Sequence, residues 1–259
     1  MRIATWNVNS VNARLETVLA WLGEHQPDVA CFQEIKCVDE KFPREPFESL
    51  GYNVETHGQK SYNGVALLSK LPISDVRKGL PGDPSDEQAR YIEAVIEAPR
   101  PVRVGGLYLP NGNPLGTEKF AYKLGWFDRL NAHARNLLAL EEAFVLCGDY
   151  NVIPTPDDAR DPSAWVDDAL FQPESRAAFR ALCNLGLSDS HELGHEPDGT
   201  YTFWDYQAGA WQRDHGIRID FHLLSPQAAD RFGGIQTHRQ AREMDKPSDH
   251  VPVVVTLED

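Results

Sequence analysis

Short polar clusters stand at the edges of short apolar runs from one end of this 259-residue chain to the other. They are Asn7-Val8-Asn9, Gln33-Glu34, Gly148-Asp149-Tyr150-Asn151, Arg218-Ile219-Asp220 and Ser248-Asp249-His250. The first four lie at the end of an apolar run or just inside it, and the last immediately precedes one. Such runs read as buried strands. A strand end is where a rigid scaffold can aim carboxylate, amide and imidazole groups into one crevice. Clusters spread from residue 7 to residue 250 can meet only if both halves of the chain fold around one site, which favours a single domain over residues 1–259. The set offers many oxygen ligands, one imidazole and no thiol, which suits a hard divalent cation better than zinc.

The pattern between the clusters predicts an α/β protein. Residues 2–6 read as a strand and 11–25 as an amphipathic helix. Val11, Leu15, Val18, Leu19 and Leu22 recur there at helical spacing, with Ser10 or Asn12 as cap. Residues 29–32 form a short strand that delivers Gln33 and Glu34. Further strands are expected at 52–55, 64–68, 91–96 and 102–109. Residues 115–140 are helical, as two helices or as one kinked at Gly125. Residues 143–147 form a buried strand that delivers Asp149 and Asn151. The proline- and acid-rich stretch 153–175 reads as a long excursion with a short helix rather than a linker, because Trp165, Leu170 and Phe171 need burial. A helix over 175–185 ends at Gly186. Strands at 201–204, 217–224 and 251–257 complete the chain, and the valine-rich last one is expected to be central.

The net charge of −14 argues against simple charge-driven binding to nucleic acid. Its distribution matters more. Residues 1–140 carry a net −1, residues 141–200 a net −10 and residues 201–259 a net −3. An acidic flank leaves room for a neutral or basic binding face elsewhere, with weak non-specific affinity and strong salt sensitivity. The four cysteines, Cys31, Cys37, Cys147 and Cys183, form no C-x-x-C pair, so neither a zinc ribbon nor a redox motif is indicated and reduced thiols are expected. No apolar run approaches the roughly 20 residues that span a bilayer, and the N-terminus turns polar too early for a signal peptide. A cytoplasmic protein without membrane contact is expected.

Glu34 and Asp249 are the first candidates for metal ligands, with Asn7 and Asn9 beside another strand end. A magnesium ion takes a few carboxylates and keeps several waters. A lone Glu after a strand is equally a solvated turn residue; recurrence of acids in one positional context is what favours the ligand reading. Asp220 and His250 suggest a second unit, in which a carboxylate fixes the imidazole tautomer and favours its cation. Such a His can stabilise or protonate a phosphoryl oxygen, though it can also be a structural pair. A Ser-His-Asp hydrolase fits less well: there is no G-x-S-x-G elbow, and Ser248 is the chain neighbour of Asp249. Asp149 and Asn151 share a face of an extended segment. They could hold and polarise an attacking water and stabilise the pentacovalent oxyanion, or simply close an Asx-turn. Tyr108 and Asn111 could contact phosphate oxygens, or belong to a plain Pro/Gly/Asn turn. Phe203 and Trp204, with Ile217 and Ile219, could line a small apolar pocket or pack in the core.

Taken together, these clusters resemble the exonuclease III family of apurinic/apyrimidinic endonucleases, within the endonuclease/exonuclease/phosphatase superfamily. The resemblance spans nearly the whole chain. It runs through Trp6-Asn7-Val8-Asn9, Leu50-Gly51-Tyr52-Asn53-Val54, His57-Gly58-Gln59-Lys60, Asn63-Gly64-Val65-Ala66-Leu67-Leu68-Ser69 and Tyr108 with Pro110. It continues through Gly148-Asp149-Tyr150-Asn151, Tyr201-Thr202-Phe203-Trp204-Asp205-Tyr206, Gly216-Ile217-Arg218-Ile219-Asp220 and Lys246-Pro247-Ser248-Asp249-His250-Val251-Pro252. Each piece is moderately specific; the ordered set is highly specific.

The resemblance implies a four-layer α/β sandwich, two mixed β-sheets packed face to face with flanking helices. It implies a Mg²⁺- or Mn²⁺-dependent phosphodiesterase, acting as a monomer on double-stranded DNA with abasic sites or blocked 3′ ends. Such an enzyme nicks 5′ of the abasic site, leaving a 3′-hydroxyl and a 5′-deoxyribose phosphate; many relatives also act as 3′-5′ exonucleases or 3′-phosphatases. By motif, Asn7, Glu34 and Asp249 resemble the metal site, with Asn9 close by and Asp149 and Asn151 bordering it. Asp149 resembles the residue that activates water and Asn151 its partner. His250, supported by Asp220, resembles the group that contacts the scissile phosphate, and Tyr108 and Asn111 resemble further phosphate contacts. Phe203, Ile217 and Ile219 resemble the slot for a flipped-out abasic sugar. Departures are the Leu109-Pro110-Asn111-Gly112-Asn113 loop, where one branch has Phe-Pro-Gln-Gly, Ile217 where some members have Trp, and the acidic stretch 153–175. They bear on the balance of endonuclease and exonuclease activity.

Two other functions share parts of this chemistry. A phosphodiesterase or phosphatase acting on a lipid or inositol phosphate would use the same metal residues; the apolar slot and the Gln59-Lys60…Asn63-Gly64-Val65 stretch favour DNA. A non-catalytic nucleic-acid-binding regulator would have lost at least one of Glu34, Asp149, Asp220, Asp249 and His250, and all are present.

Overall fold

The computed structural model describes residues 1–259. In chain order the strands are β1 (Arg2–Asn7), β2 (Val29–Gln33), β3 (Asn53–His57), β4 (Val65–Ser69), β5 (Ile73–Lys78), β6 (Tyr91–Ile96), β7 (Val102–Tyr108), β8 (Phe144–Asp149), β9 (Ser188–Asp189), β10 (Asp220–Leu224), β11 (Phe232–Thr237) and β12 (Val253–Leu257). The helices are α1 (Leu15–His25), α2 (Arg44–Ser49), α3 (Glu118–Leu138), α4 (Pro173–Cys183), α5 (Ser190–Leu193) and α6 (Pro226–Ala229). One six-stranded sheet has the order β11-β12-β1-β2-β4-β3, the other β5-β6-β7-β8-β10-β9.

The two sheets repeat one pattern. Each has a single parallel pair at its centre, β1 with β2 and β7 with β8, and antiparallel pairs on either side. The sequence shows no matching internal repeat, so the symmetry lives in backbone topology alone.

Strand side chains alternate between faces, and here both faces are covered. In β1, Ile3 joins the apolar layer between the sheets, while Ala4 and Trp6 pack outward with Val18, Trp21 and Leu22 of α1. In β8, Val145 and Cys147 face the other sheet, while Phe144 and Leu146 pack outward with Trp126, Phe127 and Leu130 of α3. Strands buried on both sides are apolar throughout, which is why the sequence runs lack a period of two. Asn7 and Asp149 continue the inward-facing rows of their strands. They therefore arrive at the end of the inter-sheet layer, buried, where the apolar packing stops.

The structure corrects several expectations. Residues 201–204 form no strand: Phe203 makes only isolated bridges to Ile217 and His250, and β10 begins at Asp220. The last strand is interior but sits one place from the sheet edge. Edge strands β5 and β11 are absent from the sequence reading. The first has little apolar character, and the second has a glycine pair, Gly233-Gly234, at a register shift. Residues 115–140 contain one helix, capped by the Thr117 hydroxyl, with Gly125 against open space. Residues 11–14 are a turn in which the Ser10 hydroxyl accepts the Ala13 N–H, and α1 starts at Leu15. The excursion folds into two 3₁₀ turns, Pro156–Asp158 and Pro162–Trp165, and α4 begins at Pro173, in the position a helix most readily gives to proline.

Candidate active site

The carboxyl ends of the two parallel pairs open at the same edge of the sandwich. The ends of β1 and β2 supply Asn7 and Glu34, and those of β7 and β8 supply Tyr108 and Asp149. The start of β10 adds Asp220, which pairs directly with Asp149 across the sheet. The loop before β12 adds Asp249 and His250.

Asn7 is the hinge between the sheets. Its side-chain nitrogen donates to Glu34 Oε1 at 2.9 Å and to Asp149 Oδ2 at 3.0 Å. Its Oδ1 accepts the Asn9 backbone N–H at 3.0 Å. Asn7 thus spends its donors on holding two carboxylates of opposite sheets in one plane of contact. Asn9 donates to Asp249 Oδ1 at 3.1 Å, and Lys36 Nζ lies 2.6 Å from Asn9 Oδ1 and 2.9 Å from Glu34 Oε2. Burial alone would raise the Glu34 carboxyl, but the Asn7 amide and the Lys36 ammonium outweigh it and keep Glu34 below its ordinary value.

Asp149 lies between this group and a second one. Its Oδ1 accepts the Asn151 backbone N–H at 2.9 Å, and its Oδ2 lies 3.7 Å from His250 Nε2. The other imidazole nitrogen, Nδ1, lies 2.9 Å from Asp220 Oδ2. The Thr202 hydroxyl donates to that same oxygen at 2.6 Å, while Asp220 Oδ1 is buried without a partner. Burial would lower the imidazole; the Asp220 and Asp149 carboxylates reverse this and raise it to about 10. Burial also raises Asp149, to about 7, against the attraction of His250 and with repulsion from Asp220. At neutral pH the imidazole is therefore a cation, with Asp220 as its counter-ion.

Asn151 completes the floor. Its side-chain nitrogen donates to the Leu109 carbonyl at 2.8 Å, and its Oδ1 accepts from Asn111 Nδ2 at 3.3 Å. Tyr108 stands beside Glu34 and Asp149; burial, reinforced by both carboxylates, pushes its phenol well above its ordinary value and keeps it a neutral donor. The Arg90 guanidinium stacks over its ring at 4.8 Å. Asn9, Glu34 and Asn151 all have left-handed backbone, with φ of 45°, 51° and 46°. Such conformations are costly, Glu34 especially, and concentrate where a side chain must be aimed.

Phe203 packs edge-on against His250, with ring centroids 5.0 Å apart. It lines a cavity of about 340 Å³ with Trp165, Ala210, Arg213 and His215. Ile217 and Ile219 lie behind it, buried with Ile153, Ala159 and Leu170. Of the three expected slot residues only Phe203 reaches the cavity. Trp165, Lys36, Thr202 and Arg90 were not marked as site residues by sequence reasoning. Lys36 carries a signal in its i+2 spacing from Glu34, and Thr202 lies within the Tyr201–Tyr206 motif.

The donor set of Glu34, Asp249 and the neighbouring amides is all oxygen and fits a hard divalent cation. Ligand atoms of Asp149, Asp220 and His250 also lie within 4.8 Å of one another. In that trio Asp220 Oδ2 is already held by His250 and Thr202, and the two carboxylates favour the charged imidazole, so Asp149 is the least committed ligand. The first group is the better cation site and the trio the better proton and phosphate site.

Comparison with known proteins agrees with this geometry. The family model described as the endonuclease/exonuclease/phosphatase family matches residues 4–250. Exodeoxyribonuclease III of Haemophilus influenzae is 34% identical, covering 98% of each chain. An AP endonuclease from Archaeoglobus fulgidus superposes with a TM-score of 0.94 at 37% identity, over the full length of both chains. A Neisseria meningitidis 3′-5′ exonuclease superposes with a TM-score of 0.95 at 37% identity, again over both full chains. A Neisseria 3′ phosphatase bound to a product DNA hairpin superposes with a TM-score of 0.96 at 37% identity, with both chains fully covered. With the sheet pattern and the site together, the chain belongs to the endonuclease/exonuclease/phosphatase family, with the exodeoxyribonuclease III enzymes.

Proposed function

We propose that this protein is a DNA repair nuclease that hydrolyses phosphodiesters by in-line attack of water, and that residues 1–259 work as one monomeric unit. The family's hydrolysis depends on a divalent metal ion; Mg²⁺ is the proposed physiological ion, with Mn²⁺ able to replace it. Glu34 and Asp249 would hold it, with Asn7, Asn9, Asp149 and Asn151 around them, and the bound ion would neutralise charge developing on the phosphate. Asp149 accepts the proton of the attacking water as the new P–O bond forms, and Asn151 orients that water. The His250 imidazolium, kept charged by Asp220, donates to a non-bridging phosphate oxygen as the pentacovalent centre forms. Tyr108 and Asn111 contact the same phosphate. The P–O3′ bond breaks, the departing 3′ oxygen takes up a proton from solvent water, and a 3′-hydroxyl and a 5′-phosphate remain.

The proposed substrate is duplex DNA with an abasic site, cut on its 5′ side to leave a 5′-deoxyribose phosphate, with removal of blocked 3′ ends as a second activity. The Haemophilus, Archaeoglobus and Neisseria relatives support both. Phe203 and Trp165 at the cavity beside His250 suit a base-free sugar. The proposed location is the cytoplasm. No helix is long and apolar enough to cross a membrane, and the four cysteines are free.

The observation that carries this reading is Asp149 held at once by Asn7, by the Asn151 backbone and beside the His250–Asp220 pair. A labelled duplex with one abasic analogue should be cut at that position with Mg²⁺, and EDTA should stop the reaction. Intact substrate at micromolar enzyme, or faster turnover of phosphorylated inositols, would sink it.

A further inference from the structure

Lys123 lies in the second turn of α3 and has no solvent exposure. A buried lysine needs partners, because an unpaired ammonium is expensive in the interior. Lys123 has no carboxylate in contact. Its Nζ donates instead to two backbone carbonyls, that of Asn111 at 3.0 Å and that of Asn151. Those two residues follow β7 and β8, the parallel pair of the second sheet, and their side chains meet each other in the candidate active site.

The surroundings are shaped to this lysine. Gly112 has φ +89°, and a Cβ there would come within 2.7 Å of Lys123 Cδ and 3.2 Å of the Ala169 Cβ. The aliphatic stem thus fills the space a side chain at 112 would need. On the far side, Asn113 donates to Asp168 Oδ1 at 3.0 Å and accepts the Ala169 N–H at 3.0 Å. The Ile153 N–H bonds to the Leu170 carbonyl at 2.9 Å. Three loops, 109–114, 150–153 and 168–170, are therefore laced around one amine.

Resting on the nuclease reading above, we propose that Lys123 is a positioning residue for phosphodiester cleavage: by tying the Asn111 and Asn151 carbonyls together it fixes the amides that face the attacking water and the phosphate. The consequence follows from the geometry. Asn151 sits in left-handed backbone and its amide is oriented by only two bonds, to Leu109 O and from Asn111 Nδ2. Without the amine, two buried carbonyls lose their donor and the loops lose the link that sets their separation. The bridge does not depend on charge. Burial lowers the ammonium to about 7, and a neutral amine still has two N–H donors for two carbonyls.

Lys123→Met tests this, since methionine keeps the unbranched stem and removes every donor. Per folded molecule, kcat should fall tenfold or more while KM for abasic duplex changes less than about threefold. In metal-free protein, the Asn111 and Asn151 side-chain amides should each give one pair of NMR signals in wild type, and these should broaden or split into further pairs in the variant. Lys123→Gln, with two amide N–H donors on a shorter stem, should recover part of the rate and sharpen the signals. A kcat per folded molecule within twofold of wild type, or a loss that only tracks the folded fraction, overturns the proposal. So does an unchanged amide spectrum, which remains readable even if wild type proves not to cleave DNA and the nuclease reading itself fails.

Discussion

His250 Nδ1 lies 2.9 Å from Asp220 Oδ2, in a pocket where the Thr202 hydroxyl, 2.6 Å from the same oxygen, fixes the carboxylate from the other side. Asp220 is buried, and its side chain bonds only to Thr202 and His250. On the proposed mechanism its part is to keep the imidazole oriented and charged. Asp220→Asn and His250→Asn should each lower kcat by about 10² or more, with KM altered much less. Single-turnover rates at saturating metal decide this; a loss below tenfold would mean the phosphate contact lies elsewhere.

Glu34 and Asp249 approach the site from different ends of the chain and accept from neighbouring amides, Glu34 from Asn7 and Asp249 from Asn9. Glu34→Ala and Asp249→Ala should raise the Mg²⁺ concentration for half-maximal activity by at least about tenfold, the lower range seen when support for a metal is removed. Asp149→Asn should instead lower the plateau rate by about 10². Metal titrations of the three variants separate the two roles by curve position and curve height.

Gly148 precedes Asp149 in β8, and a Cβ there would overlap the Leu107 carbonyl oxygen of the paired strand. That oxygen is backbone and cannot swing aside. Gly148→Ala should destabilise by about 3 kcal/mol or more, at the upper end for overpacked sites, and should abolish activity in what remains folded. Urea unfolding midpoints provide the measurement.

His222 faces the layer between the sheets, fully buried, and no side chain hydrogen-bonds to it. Burial pushes its ring down to about 3 from the ordinary 6.5, and the nearby Ile3 backbone offsets this only in part. The folded state therefore refuses a proton that the unfolded chain takes up below 6.5. Stability from this group is complete above about pH 6.5 and falls as pH drops toward 3, approaching about 1.4 kcal/mol per pH unit. His222→Leu should remove that slope. Wild type and variant unfolding free energies at pH 7.5, 6.0 and 5.0 should diverge steadily on acidification; parallel curves would refute the assignment.

Much of the site was legible because its residues follow apolar runs that are themselves unmistakable. Asn7, Glu34 and Asp149 stand where β1, β2 and β8 end, and a strand end fixes the direction of the next side chain. Lys123 was not legible. It reads as one more cation on an amphipathic helix, and only the folding of α3 over the 109–114 and 150–153 loops makes it interior. Ile217 and Ile219 are legible only as alternating apolar residues, a spacing that fits a pocket wall and a core equally; the structure buries them with Ile153, Ala159 and Leu170, with Phe203 packed against them. Edge strands β5 and β11 escaped because an edge asks little of its side chains beyond backbone pairing, so no apolar period marks them.

The twin arrangement of the sheets has a bearing on what this chain can tolerate. Asn7 and Glu34 belong to one half of the sandwich, Tyr108 and Asp149 to the other, and the chain first passes between halves in the short step from Ser69 to Ile73. No excised fragment could inherit the chemistry. Turnover is therefore a sensitive gauge of whether the halves are seated: sliding one past the other by a single residue would part Asn7 from Asp149 before any strand had melted.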